Sequence, residues 1–207
     1  AAIGFLLGFT SLPPLVVGLL MTAALVAATG ALHEDGLADV TDGFFGGHTA
    51  EKRLDIMKDS RIGSFGAMAL IVAVGVRAAL LGELLARFGP GDGILIFLGT
   101  EALSRTLLVW QWSILPSARP GGLGARFGKP DQKAANQATL LGAACVVPAA
   151  LVVPVPALLT GLLLAALAAI GLGRLSVQKI GGFTGDVLGA IQQLTSLAFL
   201  IGCLAVP

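Results

Sequence analysis

Long apolar runs alternate with short polar segments along the whole chain. Six of these runs are candidate membrane spans: Leu12–Leu32, Ile62–Phe88, Gly93–Leu115, Ala138–Val153, Ala157–Gly173 and Val187–Val206. A helix needs about 20 apolar residues to cross a hydrocarbon core about 30 Å thick, and the fourth and fifth runs are shorter than that. The pattern predicts an all-α fold, a polytopic membrane bundle of about six transmembrane helices in a single domain, residues 1–207.

Two boundaries of this pattern need comment. Ala1–Phe9 is apolar but too short to cross a membrane, so we expect it to be the end of a helix that starts earlier. Val153–Pro156 has proline at every second position, which favours a tight apolar turn between the fourth and fifth runs. A single broken helix is the alternative interpretation there.

Composition supports a membrane protein and excludes several other classes. Of the 207 residues, 56% are hydrophobic and only 12% charged, against about 25% charged in typical soluble domains. Mean hydropathy is +0.90. A soluble globular enzyme and a disordered chain are therefore excluded, and a net charge of +1 gives no basic field for nucleic acid. Cys145 and Cys203 lie in apolar runs, so neither a disulfide framework nor a zinc site is expected.

The positive charges predict the orientation of the chain. With six spans, alternate polar segments lie on alternate sides of the membrane. One side then holds ten of the thirteen Lys and Arg residues: Lys52, Arg53, Lys58, Arg61, Arg119, Arg126, Lys129, Lys133, Arg174 and Lys179. By the positive-inside rule that side is cytoplasmic, and the polar segments that contain the candidate site residues lie on the same side.

The first polar segment contains a stripe of acidic residues. Asp35, Asp39 and Asp42 have the spacing i, i+4 and i+7, which brings them to one face of a helix. Like charges on one face repel, so we expect a cation to hold them together. Oxygen-only ligands favour Mg²⁺, Mn²⁺ or Ca²⁺. The alternative is a solvated acidic face.

Acidic and basic residues lie side by side in the next segment. Asp55 and Asp59 are at i and i+4, and Lys58 and Arg61 are at i and i+3. Carboxylates that bind metal, next to cations that bind phosphate, are the groups that phosphoryl transfer requires. The alternative is an amphipathic interfacial helix with salt bridges on its surface.

Two glycine-rich segments follow later in the chain. In the earlier one, Gly121 and Gly122 come soon after Arg119 and can expose backbone N–H groups to an anion; a flexible basic loop at the lipid headgroups is the alternative. In the later one, Asp186 follows glycines at the start of the last run. It is either a metal or substrate ligand or an acid that stabilises the helix N-terminus. His33 could act as a base, as a ligand or as an interface histidine.

Some charged residues fall within or near the apolar runs. Intramembrane ions normally form pairs or line a cavity. Arg77 with Glu101 is a possible pair, as is Arg105 with an acid of the first segment, and the sequence selects neither.

Four segments together resemble the cobalamin synthase family, the membrane adenosylcobinamide-GDP ribazoletransferases. They are His33–Gly43, Ile56–Gly63, Ala118–Gly124 and Gly181–Ala190, and they follow the family's order over essentially the whole chain. The chain departs from the family in three ways. The family pattern usually begins before Ala1, it often has Glu at the position of Ser196, and it commonly has an uncharged residue at the position of Glu34.

The resemblance implies a late transferase step of cobalamin (vitamin B12) biosynthesis. Adenosylcobinamide-GDP and α-ribazole, or its 5′-phosphate, would give adenosylcobalamin, or its 5′-phosphate, and GMP. A ribose hydroxyl would attack the phosphate attached to cobinamide. Family members use a divalent cation, usually Mg²⁺, with Mn²⁺ possible. The implied location is the cytoplasmic (inner) membrane of a bacterium or archaeon, with the active site facing the cytoplasm.

The resemblance also directs the assignment of individual residues. The metal ligands would be Asp35, Asp39, Asp42 and Asp59. Asp39 and Asp59 would be catalytic, with Asp59 the candidate base by analogy with CDP-alcohol phosphotransferases. The substrate-binding residues would be Lys58, Arg61, Arg119, Gly121, Gly122, Asp186 and His33.

Two alternative functions remain from the sequence alone. A CDP-alcohol phosphotransferase would carry Ala-Arg soon after its second Asp, whereas Gly43–Gly46 follows Asp42 here. A metal-ion or proton-coupled transporter would place acids near the membrane midplane, and here they lie at one face. The expected partners are the two substrates and the lipid bilayer, without nucleic acid; a homo-oligomer is possible.

Overall fold

The computed structural model describes residues 1–119, 121 and 128–206, and these residues form eight helices. The helices are α1 (Ala2–Leu7), α2 (Pro14–Thr29), α3 (Leu32–Gly46), α4 (Ala50–Ile56), α5 (Ser64–Ile114), α6 (Gln132–Ala150), α7 (Val155–Ile180) and α8 (Gly185–Ala205). Among the described residues there is no β-strand, only an isolated bridge between Ser117 and Phe183. The predicted all-α membrane bundle is confirmed.

Helix α5 is a hairpin. Its backbone leaves the helical region at Gly89, where φ is 78°, a conformation that glycine adopts without strain, and Pro90 follows. Arg77 and Glu101 would be about 36 Å apart along a straight helix, from the rise of about 1.5 Å per residue. Their charged groups are instead 3.7 Å apart. The two arms, residues 64–88 and 90–114, therefore run back along each other.

The number of spans differs from the prediction. Within the described ranges, three helices are long and apolar enough to cross a membrane, α5, α7 and α8, and up to four if α2 and α3 count as one span bent by 91°. The number of spans in the described ranges is therefore below the six expected, even when the two arms of α5 are counted separately. Ile62–Phe88 and Gly93–Leu115 correspond to the two arms of α5, as expected, whereas Leu12–Leu32 is shortened to the 16 residues of α2. The run Ala138–Val153 lies largely in α6, which has a polar first half.

The two boundaries noted from the sequence have clear outcomes. Residues 2–7 of the first apolar segment are helical. Helix α6 ends at Ala150 and α7 begins at Val155, so a turn separates them, as the proline spacing favours.

Helix α8 is the centre of the bundle. Most of its residues are buried, and α3, α5 and α7 pack around it. Close backbone contact with α7 requires small residues, because a Cβ at Gly202 would lie 2.4 Å from Gly161. The outer side of α7, by contrast, exposes Leu159, Leu163 and Leu167. Buried small residues and an apolar outer surface are typical of a helix bundle in lipid.

Candidate active site

The polar segments picked out from the sequence meet at one end of the bundle. The turn between α7 and α8 pairs with the chain that follows α5, because Phe183 donates its backbone N–H to Pro116 at 2.8 Å and accepts one from Ala118 at 2.9 Å. Helix α4 contacts the end of α7, just before this turn, through Arg53, whose Nη1 donates to the carbonyl of Lys179 at 3.0 Å. Segments far apart in sequence therefore form one polar surface.

Helix α3 contacts the start of α8 through glycine. A Cβ on Gly36 would lie 2.7 Å from the carbonyl oxygen of Asp186, so a larger residue would push the helices apart. This contact places Asp35 and Asp39, on either side of Gly36, next to Asp186. The exposed Asp35 and half-buried Asp39 therefore form a cluster of carboxylates with Asp186.

The carboxylate cluster has a measurable electrostatic consequence. Helix α3 carries four acidic residues and turns sharply away from α2, so we place it outside the membrane-spanning segments. Burial, followed by the negative charges of Asp186 and Asp35, raises the pKa of Asp39 to about 7. A bound cation would relieve this repulsion.

A cavity of about 340 Å³ lies between α3 and the chain after α4. Its apolar wall includes Ala38, Met57, Ile62 and Leu70. Its polar wall is formed by six of the polar residues in these segments: Asp35, Asp39, Lys58, Asp59, Ser60 and Arg61. Five of these, all but Ser60, are predicted site residues, and the structure brings them together.

Asp59 and Arg61 form an exposed ion pair at the edge of this cavity. Arg61 Nη2 is 2.6 Å from Asp59 Oδ2, and Arg61 Nε is 3.0 Å from Oδ1. These hydrogen bonds lower the pKa of Asp59 to about 2. A carboxylate with so low a pKa is a weak general base near neutral pH. Asp59 could serve as the base only after this pair has opened.

Asp42 caps the beginning of α5. Its Oδ2 accepts the backbone N–H of Gly63 at 2.7 Å, and its Oδ1 accepts that of Gly66 at 2.9 Å. The side chain is buried and is not part of the cavity wall. The contacts that the structure shows for Asp42 therefore tie α3 to α5 and shape the chain between α4 and α5. Its predicted role as a metal ligand stays a prediction.

Arg119 bridges α4 and α8. Its Nη2 donates to the carbonyl of Leu54 at 2.6 Å, and its Nη1 is 3.9 Å from Asp186 Oδ2. Gly121 has a φ of 84°, which a glycine tolerates. Gly122 lies outside the described residues, so the expected anion-binding loop is represented by Arg119 and Gly121.

Thr184 is the N-cap of α8. Its Oγ1 accepts the backbone N–H of Val187 at 3.3 Å and donates to Asp186 Oδ2 at 3.1 Å. Because Thr184 supplies the cap, the carboxylate of Asp186 stays available to face Arg119 and α3. This geometry agrees with a ligand role and also with the favourable charge at a helix N-terminus.

His33 lies apart from the cavity. It is half-buried, and its charged neighbours are Glu34, Arg77, Glu101 and Arg105. Burial, followed by the positive charge of Arg105, lowers the pKa of His33. The structure therefore does not bring His33 to the other predicted substrate-binding residues.

The charged residues inside the bundle have defined partners. Arg77 pairs with Glu101, one of the two possibilities that the sequence allowed. Arg105 also pairs with Glu101, four residues earlier on the same helix, rather than with an acid of the first segment. The sequence analysis did not predict that Gln192 donates to Glu101 and that Gln193 accepts from Arg77. Two adjacent glutamines inside an apolar run were a visible signal.

The donor chemistry of the carboxylate cluster, which borders the cavity through Asp35 and Asp39, suits a hard divalent cation. Asp35, Asp39 and Asp186 offer only oxygen atoms, which Mg²⁺ and Mn²⁺ prefer. In the described ranges, however, no three His, Cys, Asp or Glu side chains already surround a common point as metal ligands would. Asp42 and Asp59 have the other partners described above.

Comparison with known proteins identifies relatives over nearly the full chain. The family model described as cobalamin-5-phosphate synthase matches residues 1–204. Proteins named adenosylcobinamide-GDP ribazoletransferase from Brucella canis and Brucella abortus are 50% identical over 196 residues, which cover 93% of this chain and 74% of theirs. One from Brucella ovis is 49% identical over the same length. No solved structure is significantly similar.

Proposed function

The chain belongs to the cobalamin-5-phosphate synthase family, and we infer that it catalyses adenosylcobinamide-GDP ribazole transfer in cobalamin synthesis. The observation that carries this function is the family match over residues 1–204, together with 50% identity to proteins named for the activity. It favours this function over the two alternatives from the sequence, a CDP-alcohol phosphotransferase and a transporter.

The proposed reaction replaces a phosphoanhydride bond by a phosphate ester bond. A ribose hydroxyl of α-ribazole, or of its 5′-phosphate, attacks the phosphorus atom attached to cobinamide. A new O–P bond forms, the pyrophosphate P–O bond breaks, and GMP leaves with the electron pair. The hydroxyl proton passes to a base or to water. Negative charge grows on the phosphoryl oxygens and on GMP, so cations at the site stabilise the transition state.

Lys58, Arg61 and Arg119 are the proposed cations for the pyrophosphate. Lys58 lines the cavity and Arg61 stands at its edge. The two planar guanidinium groups suit paired phosphate oxygens. Arg61 would exchange the carboxylate of Asp59 for phosphate, and this exchange would also release Asp59 to accept a proton. Arg119, on the chain that follows α5, would approach from the side of Asp186.

Asp35, Asp39 and Asp186 are the proposed holders of the divalent cation. When bound, Mg²⁺ would neutralise charge on the phosphoryl oxygens and the leaving group. The raised pKa of Asp39, which comes first from burial and then from the charges of Asp186 and Asp35, supports this assignment because a cation would stabilise the charged carboxylates. Asp59 would join the set after separation from Arg61. Asp42 would act by holding α3 and α5 in place.

We place this site at the cytoplasmic face of the inner membrane. The polar segments share one end of the bundle, and that end carries most of the Lys and Arg residues. The positive-inside rule assigns such an end to the cytoplasm. Both substrates are large and polar, which agrees with a site that opens to water.

The test is GMP release by the purified protein in lipid vesicles, for Asp39→Asn and Asp92→Asn. Asp92 is exposed in the second arm of α5, near the turn at Gly89, and is a matched loss of one carboxylate away from the site. We expect at least a hundredfold loss of rate for Asp39→Asn and less than a twofold change for Asp92→Asn. Equal rates for both variants would remove the assigned site.

A further inference from the structure

A second group of charged side chains lies where α3, both arms of α5 and α8 meet; Arg105 is at its edge, with 41% of its side chain exposed. We call it the ionic cluster and define it by four residues: Glu34, Arg77, Glu101 and Arg105. Arg77 is only 2% exposed and Glu34 only 8%. Arg77, Glu101 and Arg105 belong to the membrane arms of α5, where charged groups are costly and normally functional. The mechanism described above uses none of them.

A single amide connects two of these charges. Arg77 Nη2 donates to Gln193 Oε1 at 2.6 Å, and Gln193 Nε2 donates to Glu34 Oε1 at 2.9 Å. Gln193 is also buried, so a flipped amide would present its nitrogen to the guanidinium and its oxygen to the carboxylate. The chain Arg77–Gln193–Glu34 therefore has one favourable arrangement.

The rest of the ionic cluster holds Arg77 in place. Glu101 is 3.7 Å from Arg77 Nη1 and also pairs with Arg105. Glu101 accepts further hydrogen bonds, from Ser196 Oγ at 3.1 Å and from Gln192 Nε2 at 3.3 Å. The two positive and two negative charges of the ionic cluster balance. Hydrogen bonds between these charged residues and Gln192, Gln193 and Ser196 connect α8 to both arms of α5. Glu34 is thus attached to a fixed framework.

Glu34 is adjacent in sequence to the carboxylates of the cavity. Asp35 follows it directly, and Asp39 lies one helical turn after Asp35. The inward position of Glu34 therefore sets the rotation of α3 about its axis. A rotation of about 20° would move a carboxylate about 2 Å, given a helix radius of about 5–6 Å with side chains. A shift of about 1 Å at a reacting centre can cost about a hundredfold in rate.

We propose that Gln193 and Glu34 are positioning residues for the transfer reaction: the chain Arg77–Gln193–Glu34 fixes the rotation of α3 and so directs Asp35 and Asp39 into the cavity. This proposal rests on the proposed function, because it assigns the reaction to those two carboxylates. Neither positioning residue lies in the cavity wall.

The test compares Gln193→Glu with the double variant Glu34→Gln/Gln193→Glu. The single variant places a second carboxylate against Glu34 and forces α3 away. In the double variant, the new carboxylate at position 193 accepts from Arg77, and the new amide at position 34 donates to that carboxylate. The contact thus returns with its charges exchanged. Gln178→Glu, on an exposed position of α7, is the control for an added charge.

Two measurements are made on each variant. The first is kcat and KM for GMP release in lipid vesicles. The second is the rate at which a charged thiol reagent modifies Asp35→Cys, in a background with Cys145→Ala. The second measurement reports the orientation of α3 and requires neither metal nor turnover, so it decides this proposal even if the protein releases no GMP.

For Gln193→Glu we expect at least a tenfold lower kcat, KM values within twofold, and at least a threefold change in the labelling rate. The double variant should return both quantities to within threefold of the parent, and Gln178→Glu should leave them unchanged. A labelling rate unaffected by Gln193→Glu, or not restored in the double variant, would overturn the proposal. If the labelling rates change and recover as expected but the parent protein releases no GMP, the result would count against the proposed function alone.

Discussion

Gly36 of α3 packs against the backbone of Asp186 at the start of α8, so closely that a Cβ on Gly36 would lie 2.7 Å from the Asp186 carbonyl oxygen. This contact joins the first polar segment of the chain to the last one. It also explains how Asp35 and Asp39 come to share a site with Asp186, about 150 residues later.

We therefore expect Gly36→Ala to lower the rate of GMP release at least tenfold, because the added methyl group pushes α3 away from α8. Gly75→Ala is the control, since Gly75 is a helical residue with no atom close to its Cβ position. That variant should keep its activity and gain up to about 1 kcal/mol of stability from helix propensity. Full activity of Gly36→Ala would show that the contact does not set the site.

Because the pKa of Asp39 is raised, we expect the stability of the fold to depend on pH when no divalent cation is present. Its pKa rises from 3.8 in a free carboxyl group to about 7 in the folded chain. The folded state thus binds more protons than the unfolded state between pH 4 and 7, so this residue's contribution to stability falls as pH rises through that window. Thermal unfolding in EDTA should show this fall, and Asp39→Asn should reduce it.

The contribution of Asp39 is read from the difference between the parent and Asp39→Asn, because other carboxyl groups titrate in the same range. Addition of Mg²⁺ at pH 7 should stabilise the parent more than the variant. Identical pH profiles for the two proteins would contradict the crowded carboxylate cluster.

The ion pair between Asp59 and Arg61 predicts a selective effect on one substrate. Arg61→Ala should raise KM for adenosylcobinamide-GDP at least fivefold and change KM for α-ribazole less than twofold, since only the former carries the pyrophosphate. Steady-state kinetics with each substrate varied in turn measures this. An equal rise in both KM values would indicate a general disturbance of the cavity. Lys52→Ala, an exposed change in α4, is the control.

We expect substitution of Asp42 to lower the stability of the fold rather than the affinity for metal. Asp42→Asn removes one of two acceptors for the backbone N–H groups of Gly63 and Gly66. We expect a loss of about 1–2 kcal/mol in unfolding free energy, as for a buried hydrogen bond. The Mg²⁺ concentration for half-maximal activity should stay within twofold. A tenfold rise in that concentration at unchanged stability would instead support Asp42 as a metal ligand.

The sequence predicted the helical class and the composition of the cavity well. Asp35 and Asp39 share a helix face because their spacing matches the helical repeat, and Lys58, Asp59 and Arg61 follow one short segment later. Such local patterns depend on neighbouring residues alone. The family resemblance then linked the segments in order.

Contacts between distant residues could not be predicted in the same way. Hydropathy predicted the reversal at Gly89, because it separates the two apolar runs that form the arms of α5, but it did not show that α2 is only 16 residues long or that α3 turns sharply away from it. The cap that Asp42 provides for α5 and the amide of Gln193 between Arg77 and Glu34 depend on tertiary packing. The Arg105–Glu101 pair could have been predicted from the sequence, since i, i+4 spacing brings the two side chains together on one helix.

The most direct test of the central claim follows the phosphorus atom attached to cobinamide. Adenosylcobinamide-GDP labelled with ³²P at that phosphate is incubated with α-ribazole, Mg²⁺ and the purified protein in lipid vesicles. We predict that all transferred label appears in the cobalamin product, that the released GMP is unlabelled, and that omission of α-ribazole or addition of EDTA abolishes release. Label in a released guanosine nucleotide would contradict attack at that phosphorus.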